Sequence, residues 1–100
     1  MSMAEHIAAA RRLSLLRLIA EDGGQSNDGA LLTAMRMIGD RQALDRSAVR
    51  QLLRDLEVRD CLTIEMARDT IMVVKISERG RMAIAGDVSI GGVASPLEGL

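Results

Sequence analysis

Apolar residues of this chain recur at helical spacing through residue 60 and then switch to alternation, which predicts helices first and strands after. Residues 4–20, AEHIAAARRLSLLRLIA, read as a helix with no Gly or Pro to interrupt it. Leu13, Leu16 and Ala20 cluster on one side, with Leu15 and Ile19 beside them and Leu18 further round. That arc is wider than one small core requires. EDGG at 21–24 ends the helix, because glycine tolerates the left-handed conformation that closes helices. A second helix starts behind Ser26 or Asn27, either of which can cap its free N–H groups, and runs to Gly39 with Leu31, Leu32, Met35 and Ile38 at helical spacing. The connection GDRQAL is short. Asp45 then caps a third helix, RSAVRQLLRDLEVRD, whose Val49, Leu52, Leu53 and Leu56 form the buried stripe.

After Asp60 the period becomes two. In CLTIEMA, Leu62, Ile64 and Met66 point one way and Thr63 and Glu65 the other; in TIMVVKIS, Met72, Val74 and Ile76 face one side and Ile71, Val73 and Lys75 the opposite one. Arg68-Asp69 between the runs predicts a two-stranded hairpin with a tight tip. Ser77 caps a last short helix, and DVSIGGVASPLEGL, with three Gly, one Pro and no periodicity, reads as a flexible tail over 87–100. The order helix, helix, helix, strand, strand, helix is that of a winged helix-turn-helix, an α+β and mainly α fold, over residues 1–86.

Composition narrows the function. One hundred residues suit one domain. There is no Phe, Trp or Tyr, so the core is aliphatic with seven Met, and base-stacking platforms for single strands are missing. The net charge of −1 is not that of a non-specific DNA coat, so any DNA affinity has to come from a local patch. Cys61 stands alone at the start of an apolar run and reads as a small buried hydrophobe. His6 has no second His or neighbouring Cys to complete a metal site, and the acids are scattered among arginines. No glycine-rich loop joins a strand to a helix, so neither metal, cofactor nor catalysis is indicated. The N-terminus lacks a signal-peptide core and no apolar run approaches the ~20 residues that span a membrane, which leads us to expect a cytoplasmic protein.

Three stretches carry a resemblance: RRLSLLRLIAE, LDRSAVRQLLRDLEVRDCLTIE and KISERGRMAIAG. Together they resemble the small winged-helix proteins of Mu-like bacteriophages and prophages described as ArsR-like transcriptional regulators, over residues 5–86. The resemblance implies a DNA-binding regulator. Metal sensing is not carried over, because metal-sensing members have a CVC pattern where this chain has AVRQLLRDL.

The residues agree with that implication. Arg46, Arg50 and Arg54 follow one another at four-residue intervals along one stripe of the third helix, with Ser47 and Gln51 alongside. Arg pairs bidentately with guanine, Gln with adenine, and Ser reaches phosphate. Arg41 in the preceding turn and Arg68 at the hairpin tip add backbone or minor-groove contacts. From 41 to 59 five arginines face three carboxylates, a local excess that would give only a moderate salt dependence to binding of double-stranded DNA in the major groove. A bland alternative stays open, in which Arg50 and Arg54 pair with neighbouring acids on a solvated face. So does a rival function, an interaction module that binds another phage or host protein. The wide arc of the first helix fits either deep burial or a homodimer; the homodimer, expected on helical grounds, would use Leu15, Leu18 and Ile19. Ile71 and Val73 on the outer hairpin face would join it.

Overall fold

The computed structural model describes residues 1–39 and 44–97. Its elements run α1 (Met3–Glu21), β1 (Gln25–Asn27), α2 (Asp28–Met37), α3 (Arg46–Val58), β2 (Leu62–Ala67), β3 (Ile71–Ile76) and α4 (Glu78–Ala85). Among the described residues these are four helices and a three-stranded antiparallel sheet of order β1-β3-β2. The sheet corrects the expected two-stranded hairpin. Gln25-Ser26-Asn27, read only as a turn and cap, pairs with Lys75, Val74 and Val73, and Gly24 extends that edge by accepting the Ile76 N–H.

Helix starts follow the cap chemistry. The Asn27 side chain accepts the Ala30 N–H, Asp45 that of Ala48, and Ser77 that of Gly80. Ser2 and Glu5 form a reciprocal capping box at the start of α1. The hairpin turns at Arg68 and Asp69, both at positive φ (53° and 56°), with the Thr70 N–H returning to the Ala67 carbonyl.

The core lies between the helices and the inner sheet face. Leu15, Leu16, Ile19, Leu31, Met35, Val49, Leu53, Leu56, Met72 and Val74 are all buried in one cluster. The stripe of α3 and the β3 alternation fall as the pattern required, with Met72, Val74 and Ile76 inward and Ile71 and Lys75 exposed. Cys61 is buried, and burial pushes its thiol up against the pull of Arg79 and Arg59. Ile38 departs from its expected place, as an exposed cap at the end of α2.

Two further expectations change. Leu15 and Ile19 are 0% exposed, so neither offers surface to a second copy. Leu18 is half-buried, Val73 half-buried and Ile71 exposed. The reason is volume: without aromatic side chains, α1 has to turn a broad aliphatic arc inward to fill the core. Residues 87–97 are not a loose tail either. Ile90 is buried, and the Ala94 N–H bonds to the Ala9 carbonyl at 3.1 Å. No helix among the described residues is long and apolar enough to cross a membrane.

Candidate nucleic-acid interface

The α3 helix turns Val49, Leu52, Leu53 and Leu56 inward, which leaves Arg46, Ser47, Gln51 and Arg54 exposed on its other faces. Arg54 has no ion pair among the described residues. Arg68 stands exposed at the hairpin tip. Arg41 lies outside the described residues. The stripe foreseen on α3 is therefore present at its two ends, while its middle member behaves differently.

Arg50 turns away from solvent, with its side chain only 23% exposed, and pairs with Asp28. Its Nε donates to Asp28 Oδ2, and its Nη2 donates to the main-chain carbonyl of Thr70 at the hairpin tip. Asp28, the first residue of α2, is 1% exposed. Its Oδ1 accepts the N–H of Gly29 at 3.0 Å and of Met72 at 3.3 Å. Arg46 approaches the same carboxylate at 3.7 Å, and its guanidinium would have to shift to admit a side chain on Gly29. Burial alone would raise the Asp28 pKa. The hydrogen bond and charge of Arg50, with the two N–H donors, outweigh it and hold the carboxyl below its ordinary value.

Gln51 leans on a second acid. Its amide donates to Asp55 Oδ1 at 3.1 Å, and Arg12 of α1 donates to Asp55 Oδ2 at 2.8 Å. Arg12 also reaches the Gly92 carbonyl, and Arg59 the carbonyls of Asp55 and Gly91. This network fastens the C-terminal segment to α1 and α3. An open groove of about 480 Å³ runs beside it between α1 and α3, floored by Ile7, Ala8, Ala48 and Leu52.

Sequence reasoning missed Asp28, whose partner is 22 positions away on another helix. The signal was an acid in a helix's first turn beside a cap and a glycine, Asn27-Asp28-Gly29. Among the described residues, no group of three or more His, Cys, Asp or Glu is placed to hold a metal ion.

A protein of Haemophilus influenzae, described as an uncharacterized protein, is 34% identical to this chain over 79 residues, which is 79% of the chain and 76% of the relative. The chain belongs to the same family as this relative. No protein-family model matches the chain. No solved structure matches it.

Proposed function

We propose that this member of the family is a winged-helix protein that binds double-stranded DNA and regulates transcription, of the kind made by Mu-like phages and prophages. In this reading α3 enters the major groove and the β2–β3 hairpin is the wing. The observation that carries it is the bond from Arg50 to the Thr70 carbonyl. It joins α3 to the hairpin tip, so in this reading a duplex lying along α3 meets the exposed Arg46, Ser47, Gln51 and Arg54 and, at the tip, Arg68. Such a surface suits phosphate contacts from its arginines together with a base-edge contact from Gln51.

The protein acts as a homodimer in this proposal, which doubles the contacts and supplies two half-sites. With Leu15 and Ile19 inside the core, Leu18, Ile71 and Val73 are what remains of the dimer surface first expected. The test is a titration of labelled random and phage-promoter duplexes, followed by fluorescence anisotropy over a salt series. Each phosphate neutralised adds about 0.9 to the log–log salt slope. Binding that is absent, or unaffected when Arg46, Arg54 and Arg68 are changed to Ala, overturns the proposal.

A second reading, a module that binds another protein, draws on the apolar groove between α1 and α3, whose lining includes the exposed Ile7. The same titration separates the two, since that reading expects no salt-dependent duplex binding.

A further inference from the structure

We propose that Arg50 and Asp28 form a positioning pair that fixes the hairpin tip relative to α3, and that Arg50 makes no contact with DNA itself. The second half of this inference rests on the DNA-binding reading; the first half stands without it.

The sheet explains why the tip needs a support. Strand β1 pairs with β3 only at Val73, Val74 and Lys75. Beyond that, from Met66 through Met72, the hairpin is a two-stranded ribbon, which is marginal alone in water. Asp28 follows the last paired residue of β1, Asn27, opposite Val73. The main chain turns there into α2, and the Asp28 carboxylate takes the Met72 N–H in place of a further main-chain rung. Arg50 then carries the connection outward, from Asp28 Oδ2 to the Thr70 carbonyl. One guanidinium thus links α2, α3 and the tip, using the planar fork that a lysine lacks.

The same geometry argues against Arg50 as a reader. To reach DNA it has to leave a carboxylate that is 1% exposed, stranding a buried charge. Arg46 cannot take over at no loss, because it stands 3.7 Å away with a side chain 58% exposed. Arg54 carries no such tie, and Arg68 rides on the tip that Arg50 holds.

Two variants test the pair. Arg50→Lys keeps the charge and loses the fork. Asp28→Asn with Arg50→Met removes both charges, leaves the net charge unchanged, keeps an acceptor for Met72, and strands no buried ion if the single change fails to fold. In the free protein, both should speed amide hydrogen exchange at Thr70 and Met72, whose N–H groups bond to the Ala67 carbonyl and to the side chain at position 28, by about tenfold or more relative to wild type, while core amides of α3 stay protected. Unchanged tip exchange in the folded double variant overturns the pair.

In the duplex titration, Arg68→Ala should weaken wild type about five- to tenfold and the double variant hardly at all, because the tip is no longer held in place. The salt slope of the double variant should fall only by what Arg68→Ala removes from wild type, and Arg68→Ala should lower it no further there, whereas Arg54→Ala should lower it by about 0.9 per chain in either background. A slope that falls by about 0.9 in the double variant, with the Arg68→Ala effect intact, makes Arg50 a phosphate contact and overturns the inference. If wild type binds no duplex while tip exchange rises in the double variant, the pair stands as the support of the tip and the DNA-binding reading falls.

Discussion

Two aspartate–arginine pairs anchor the α3 helix at different corners. They share a chemistry and differ in surroundings. Asp28 is closed off at 1% exposed, and each of its oxygens is used by a donor from the chain. Asp55 is 25% exposed and shares its oxygens between Arg12 and Gln51. Both carboxyls lie below their ordinary value: burial raises each, and the arginine hydrogen bonds, aided by other donors and charges, outweigh it. Arg12 has a cost that Arg50 lacks in this arrangement, for its Nε is buried without a partner among the described residues. The contrast teaches that the exposure of the carboxylate governs what each pair contributes. Water can replace a donor at Asp55 and cannot at Asp28.

The largest effect should follow from breaking the closed corner. Asp28→Ala leaves the Arg50 Nε and the Met72 N–H without their acceptor, with only the Arg50 Nη2 still bonded to the Thr70 carbonyl, and should lower stability by about 3 kcal/mol in urea denaturation. Asp55→Ala should lower it by about 1 kcal/mol, since Asp55 is 25% exposed, its donors are the side chains of Arg12 and Gln51, and Arg12 retains the Gly92 carbonyl. Equal losses at the two sites would break the comparison. Arg12→Ala should act more locally, releasing residues 91–94, with the Ala94 amide, bonded to Ala9, exchanging faster than amides of α3.

Acid should expose the same difference. For both aspartates the folded pKa lies below the ordinary 3.8, so each contributes stability that is present above that value. The contribution is lost as the pH falls through the folded pKa. Unfolding free energy should therefore be insensitive to these groups near neutrality and decline below about pH 4. Asp28→Asn should flatten that decline more than Asp55→Asn does, and the reverse order would break the comparison.

These corners were also where the sequence was hardest to read. Short-range chemistry was legible: Asn27, Asp45 and Ser77 cap the helices they precede, and the Val49, Leu52, Leu53, Leu56 stripe and the Met72, Val74, Ile76 alternation mark the core. Each signal is carried by residues within one element. Strand β1 was not legible, because Gln25-Ser26-Asn27 is short and polar and becomes a strand only through its register with β3. The burial of Ile90 was hidden in a glycine-rich stretch, since the groups that hold it come from α1 and α3. On the candidate site, the exposed positions Arg46, Ser47, Gln51 and Arg54 followed from helical geometry, whereas the inward turn of Arg50 depended on an acid 22 positions away. The suspicion that Arg50 pairs with an acid was sound, but the acid is not one of its neighbours in sequence.

The smallest expected effect sets the zero of the scale. Arg54 lies four residues along α3 from Arg50, exposed and without an ion pair among the described residues. Arg54→Ala should change unfolding free energy by less than about 0.5 kcal/mol, because alanine favours the helix and no buried partner is stranded. Duplex binding, in the proposed function, should still weaken, since a side chain with no ion pair among the described residues is available to reach a phosphate or a base edge. Arg50→Ala should do the opposite in kind, destabilising the fold as well as binding. Loss of 2 kcal/mol or more on removing Arg54 would mean that this arginine, too, is tied into the fold, and the division of α3 into a structural and an external arginine would fail.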